Sequence, residues 1–493
     1  MDFKLLIPEI IVLITAAFIL FGEWMIKMAD REKKNSIIGL ITVNGLLAAL
    51  GVLIGFRVTG YSLISYFGNT QAASFFGSFI SDDLALYFKI IILISSILAL
   101  LISFKYVSEK IKNVSEFYSL VCMATLGAMF VSSAGEMITL FLGIELLSIS
   151  SYILAGFNKE NKKSAEASLK YFVIGSTSSI LLLYGFSIIF GLTGSLNFAT
   201  IASSLDKQVE PMSYILIIGA VCALAGLAYK IVAVPFHMWA PDVYEGAPTP
   251  ITAFLAITSK IAGFAALTRF IVIFTDNSAH KILILVIALS VITMTFGNFV
   301  SLAQTNMKRL FAYSSITHAG YLLMGLIPLI KNKPDDYGSL LFYLTAYIFM
   351  NIGAFAAIIY FSKHTGSTEI KDFSGVAKKA PFVAFVFAAC LVSLAGLPPF
   401  AGFTGKFYLF FAVVNSGYTW LALFGALNSV ISLYYYVRII KLMYFGETPE
   451  NIKFEIPNPA LATAIFISLV GILALFIFPN TFIELARTSL LGL

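Results

Sequence analysis

Apolar runs of about twenty residues, the length that crosses a bilayer core of ~30 Å, follow one another along nearly the whole 493-residue chain. They begin near positions 5, 36, 84, 114, 136, 169, 213, 251, 281, 310, 338, 383, 419 and 460. Within hydrocarbon, backbone amides must be satisfied inside the segment or in a closed barrel, so runs of this length are helices. The predicted fold is an all-α integral membrane protein of about fourteen transmembrane helices. Composition agrees, because 12% charged residues is about half the share of a typical soluble domain. The first run carries Glu9 and Glu23, lacks a basic leader and ends in no small-residue cleavage site. It is therefore expected to stay as a helix.

The net charge of +6 carries no nucleic-acid signal, since the basic residues sit in small groups between apolar runs, as orientation determinants do. Odd-numbered connections hold twenty Lys and Arg, while even-numbered ones and the C-terminal tail hold six. The positive-inside rule then puts the odd connections in the cytoplasm and both termini on the other side. Cys122, Cys222 and Cys390 each stand alone in an apolar run, without metal-ligand or redox spacing. Neither a Walker loop nor a GxGxxG between strand and helix is present, so nucleotide binding and redox chemistry are not expected here.

Charges inside the runs carry the functional signal. Lys230, Lys260 and Lys406 lie too deep to reach an interface, and a buried membrane charge costs from ~3 to more than 10 kcal/mol. Pro235 follows Lys230 by five residues, and Pro398 and Pro399 precede Lys406. Each removes a helix donor and clashes with the preceding turn, so two helix breaks are expected beside two of the lysines. Glu145, nine residues after Glu136 and so ~14 Å into its span, should meet a cation. Lys4, Lys89 and Arg269 lie near span ends, where they are expected to snorkel, and Glu9 and Glu136 are expected at headgroup level. His318 fits a proton relay between Lys260 and Lys406 as well as a histidine satisfied by serine or backbone. His237 reads as a loop anchor, and Asp242 and Glu245 as residues that fix a cytoplasmic turn.

Three segments then carry a family resemblance. HMWAPDVYEGAPTPITAFLAITSK (237–260), KRLFAYSSITHAGYLLMG (308–325) and SLAGLPPFAGFTGKFYLF (393–410) closely resemble the antiporter-like membrane subunits of the proton-pumping NADH:quinone oxidoreductase, respiratory complex I, and the related Mrp-type cation/proton antiporter subunits. PDVYEGAPTP, in place of a PDAHVEAPTP-like string, points to the subunit N branch over L and M. So does Lys406, where subunit M would carry glutamate, and so does the absence of the long lateral helix of subunit L after the last span.

The resemblance implies two inverted five-helix repeats with the seventh and twelfth helices broken: 1–113 as three N-terminal helices, 114–275 and 281–441 as the repeats, and 442–493 as the C-terminal helix. It implies that Glu145 and Lys230 form a charge pair that acts as a switch, that Lys260 is the central proton site, and that Lys406 is the terminal one facing the outer side. Protons would be taken up from the cytoplasm toward Lys260 and passed to Lys406, then released outward as the pair forms or breaks. Lysine suits the task because burial moves its pKa readily, whereas arginine stays charged. The resemblance further implies a bacterial plasma membrane location. Partners would be other membrane-arm subunits, especially M and K, with no nucleic acid. No cofactor is expected in this chain, with NADH, FMN, iron–sulfur clusters and quinone bound elsewhere in the complex. Two other classes fit the same features: a subunit of a stand-alone cation/proton antiporter, distinguished by sodium-dependent transport without NADH, and a non-conducting scaffold, distinguished by pumping that survives loss of the lysines.

Overall fold

A computed structural model describes residues 3–25, 31–58, 72–205, 210–274, 276–447 and 454–489. Lys27, Lys207 and Lys453, three of the connection residues counted above, lie outside these ranges. Among the described residues twelve helices are long and apolar enough to cross a membrane, and the first run forms the helix Ile7–Met25. Two further apolar stretches, Tyr214–Lys230 and Pro381–Ala395, are shorter, and each ends at one of the two proline-containing breaks.

Burial sorts the helices into centre and rim. Thr249–Ile271 is wholly enclosed, and Met307–Ile330, Asp336–Thr365 and Asp83–Lys110 are nearly so. Lys162–Thr193, Thr419–Phe445 and Pro459–Ile477 form part of the rim, with outward faces rich in large apolar side chains such as Ile180, Leu427 and Phe466. Small residues set the closest approaches: a Cβ on Gly127 would lie 2.6 Å from the backbone of Leu147 on the adjacent helix. Such small-residue contacts let membrane helices pack where no hydrophobic force separates protein from lipid. A short hairpin pairs Ala72–Ser74 antiparallel with Phe79–Ser81. Its second strand is tied to the end of the helix Val114–Ser132 by Ile80 N–H donating to Ser133 O at 2.8 Å.

Beside that hairpin the snorkelling expectation fails. Lys89 is buried, with its ammonium 2.7 Å from a carboxylate oxygen of Glu9 and over the ring of Phe79. Glu9 is equally buried, so it does not sit at headgroup level. Arg269 forks onto Asp82 through two bonds of 2.6 Å and also donates to Ser132 O. Asp82 in turn caps the helix Asp83–Lys110 by accepting from Ala85 N–H at 2.7 Å. One guanidinium thus joins three helix ends, because a bidentate partner inside the protein satisfies more of its donors than a strained reach to the interface would.

Candidate functional site

The three lysines expected at depth are all nearly or completely buried. None lies within 4 Å of a carboxylate among the described residues, and each meets a hydroxyl or backbone carbonyls and a tyrosine ring instead.

Lys230 closes the helix Glu210–Lys230. Beyond it the chain turns through Val232 in the left-handed region (φ 64°) and the cis Val234–Pro235 bond, then enters a short connector helix, Trp239–Gly246. Its ammonium donates to Ser148 Oγ between the rings of Tyr152 and Tyr229. Glu145, one turn before Ser148 on Met137–Ala155, accepts instead from Ser179 Oγ. The charge pair that the resemblance implies is therefore not a direct salt bridge here: Lys230 is bonded to Ser148 and Glu145 to Ser179. His237 lies in the same turn, with its ring against Phe296.

Lys260 follows a π-helical turn, Leu255–Ser259, inside the enclosed helix. Such a turn adds a residue to the ladder and leaves carbonyls without their usual partners, which is why it marks functional positions. Thr258 in this turn is bonded to Ser95 of the helix Asp83–Lys110 at 2.8 Å. The Lys260 ammonium donates to Ser315 Oγ at 2.5 Å and to the Ser315 carbonyl, and lies over the Tyr347 ring. Tyr347 OH in turn donates to Ser315 Oγ at 3.2 Å.

His318, three residues past Ser315, extends this set toward Lys406. Its Nδ1 pairs with Tyr343 OH at 2.7 Å and its Nε2 faces Tyr436 OH at 3.4 Å, while its ring touches those of Tyr347 and Tyr321. Lys406 in turn lies over the Tyr321 ring, 4.7 Å from its centre. Its ammonium donates to the carbonyls of Leu394 and Ala395, at 3.1 and 3.0 Å, which the second break leaves free. That break needs two glycines: Gly396 adopts φ +89°, and a Cβ on Gly402 would lie 1.7 Å from Ser393 O. The helix resumes at Ala401–Asn415, which carries Lys406. Pro235, Pro398 and Pro399 thus stand at the interruptions the sequence implied.

Lys308, counted above as an orientation determinant, is turned inward. Its ammonium donates to Glu245 O and Ala247 O at 2.6 and 2.7 Å, where the connector helix ends. Arg309 binds Asp242 and Glu245 at 2.8 and 3.1 Å, Lys170 binds Asp242 at 2.6 Å and Lys163 binds Glu245 at 2.8 Å. Burial raises both carboxyls, but these bonds outweigh it and hold Asp242 and Glu245 below the usual carboxylate range. The two acids do fix the turn. Lys308 could not be told from an interface anchor in sequence, whereas the i, i+4 spacing of Tyr343 and Tyr347 was a readable sign of one tyrosine face.

Buried lysines at two helix interruptions and one π turn, bridged by hydroxyls and an imidazole, define a polytopic membrane protein of the ion-translocating class. Residues 134–432 match the family described as NADH:quinone oxidoreductase/Mrp antiporter, TM. The chain is 42% identical over 470 residues to NADH-quinone oxidoreductase subunit N of Desulfitobacterium hafniense, covering 92% of this chain and 94% of that protein. It is 39% identical over 504 residues to NAD(P)H-quinone oxidoreductase subunit 2 of Synechocystis sp., covering 99% and 92%. Its fold matches a chain of respiratory complex I from Thermus thermophilus with a TM-score of 0.80 at 27% identity, over 97% of this chain and 99% of the other. A chain of the Mrp complex from Dietzia sp. has the same fold (TM-score 0.80, 20% identity, 98% and 97% coverage). The chain belongs to the NADH:quinone oxidoreductase/Mrp antiporter membrane family, and the subunit N and subunit 2 proteins are its relatives within it.

Proposed function

We propose that this chain is the subunit N-type, proton-translocating membrane subunit of an NADH:quinone oxidoreductase, respiratory complex I. It carries no redox centre of its own and moves protons when quinone is reduced elsewhere in the complex. The observation that carries this reading is the row of exchangeable groups between the two lysines: Lys260, Ser315 and Tyr347 joined by hydrogen bonds, His318 bonded to Tyr343, and ring contacts from Tyr347 to His318, from His318 to Tyr321 and from Tyr321 to Lys406. Among the described residues no carboxylate neutralises either lysine, so each can exist with or without its proton, and hydroxyls and imidazole both donate and accept. Lys260 acts as the central site, His318 as the relay and Lys406 as the terminal site. Glu145 and Lys230 act as the coupling pair, each held in this arrangement by a serine hydroxyl, Ser179 and Ser148.

In this reading the helix that breaks after Lys230 and the one that breaks before Lys406 each cross once, giving fourteen spans. Residues 114–275 and 281–441 form the inverted repeats, and 1–113 and 442–493 flank them. Both termini face the outer side of a bacterial plasma membrane. Subunits M and K of the membrane arm are the neighbours, and NADH, FMN, iron–sulfur clusters and quinone are held by other parts of the complex.

The test compares two substitutions. Lys406→Arg keeps a positive charge that does not titrate in proteins, whereas Lys406→Glu replaces it with a group that does. The expected result is that both assemble and oxidise NADH with an artificial acceptor, and that Lys406→Arg loses most proton flux per NADH in reconstituted vesicles. Parent-like flux from Lys406→Arg would remove Lys406 from the path. Transport that requires sodium and proceeds without NADH would favour the stand-alone antiporter instead.

A further inference from the structure

We propose that His364 is the cytoplasmic proton-uptake group of this subunit and that its protonation opens the cavity it borders; this deepens the proton-translocating reading above and rests on it. His364 lies in the last turn of the helix Pro334–Thr365, the helix that also carries Tyr343 and Tyr347. Its hydrogen bonds fix its protonation state. Nδ1 lies 2.8 Å from Tyr360 O, a carbonyl that can only accept, so Nδ1 carries the hydrogen. Nε2 lies 3.1 Å from the backbone N–H of Glu455, which can only donate, so Nε2 is bare. The ring is therefore neutral in this arrangement. A second proton would point Nε2–H straight at the Glu455 N–H, and the bond would be lost.

That bond is half of a latch. The other half is Tyr360 OH, which donates to Glu455 O at 2.6 Å, and Phe454 lies against the imidazole with tilted rings whose centres are 5.0 Å apart. Together they hold the segment before the helix Pro459–Ile477 across a cavity of about 220 Å³, space for several waters at ~30 Å³ each. The cavity is lined on one side by Glu455 and Asn458 and on the other by Thr249, the first residue of the helix that bears Lys260. An imidazolium would have a ready acceptor in the Glu455 carboxylate, now 3.6 Å from Lys105, since a charge-assisted bond replaces the neutral one. The helix C-terminus favours the cation as well. The other charged or titratable groups around the cavity are Tyr106, Lys110, and Lys363 and Lys105, whose ammonium groups lie 2.7 and 3.9 Å from Glu109. Of all these, imidazole is the group whose type exchanges protons between pH 5 and 8. Protonation thus moves Glu455 off its backbone tie and admits water, and the same proton is then available at Thr249, where the helix that bears Lys260 begins.

The test reads access to the cavity without turnover. In inverted membrane vesicles carrying the intact complex, Thr249→Cys is labelled with a membrane-impermeant maleimide, with the parent's own labelling subtracted, in the presence and absence of His364→Gln. The glutamine amide can satisfy both neighbours but does not titrate, so it keeps the latch shut. Comparing the two proteins at one pH cancels the reagent's own pH dependence. We expect equal rates at pH 8 and, at pH 6, labelling about threefold or more faster when His364 is present, as for a shift between two populated arrangements. Tyr360→Phe, which removes the other tie, should speed labelling at both pH values. Equal labelling with histidine and glutamine at pH 6 overturns the proposal, and so does a Tyr360→Phe rate no faster than the parent's. Either result leaves the Lys406 experiment untouched, so the two readings fail separately.

Discussion

Glu145 is the charged group whose environment most clearly demands a partner. It sits partly exposed at mid-span with one hydroxyl, Ser179, as its donor, while Lys230 is held by Ser148 one turn away. With each charge held by its own hydroxyl, either one can change partner by a side-chain rotation, where a tight salt bridge would have to be broken against several kcal/mol. Glu145→Ala should therefore leave Lys230 bound to Ser148 and assembly intact, while removing the group that stabilises its charged form. The expected outcome is a loss of most NADH-driven proton pumping in membrane vesicles at a preserved complex content. Undiminished pumping would take Glu145 out of the coupling.

Helices are fixed to one another at two levels by charge. At the C-terminal end of the Lys260-bearing helix, Arg269, Asp82 and Ser132 tie three helix ends together. Asp82→Ala would leave a buried guanidinium without its anion and the helix Asp83–Lys110 without its cap. Breaking a buried pair costs about 3–5 kcal/mol, so thermal unfolding of the purified complex should release this subunit at a clearly lower temperature; an unchanged transition would mean the fork is dispensable. On the connector helix, Asp242 and Glu245 are held below their ordinary values by Lys170, Lys163 and Arg309. A depressed folded pKa contributes stability that is complete above the unfolded values near ~4 and is lost as acidification passes through the folded ones. Protection of the Trp239–Gly246 amides in hydrogen exchange should thus hold from neutral pH down to about 4.5 and fall below it. Replacing Asp242 by Asn should remove part of that acid-dependent step, and a step of unchanged size would exclude the carboxylate.

The chain as a unit presents basic connections on one side and apolar rim faces around it. A phosphatase that is active only outside the cytoplasm should be active when fused after residue 489 and inactive when inserted in the connection at Lys378–Lys379. The reverse pattern would invert the orientation drawn from the positive-inside rule.

Span positions, helix breaks and the three deep lysines could be read directly from residue order, because each rests on a local rule. Length and hydropathy set what a bilayer accepts, and proline removes its own amide wherever it stands. Helices do begin within a few residues of most expected points, for example at Val114, Met137 and Thr419. The fate of Lys89, Arg269, Lys308 and Glu9 could not be read that way. A basic side chain near a span end looks the same in sequence whether it reaches the interface or turns inward. The choice depends on whether a distant segment brings a carboxylate or a free carbonyl within ~3 Å, which is enough to offset desolvation. Asp82 and Arg269 are 187 residues apart, and Lys308 binds carbonyls that exist as acceptors only because the connector helix stops at Gly246. The same holds for the relay, since Ser315, His318, Tyr343 and Tyr347 become neighbours of Lys260 and Lys406 only when the helices that carry them pack face to face.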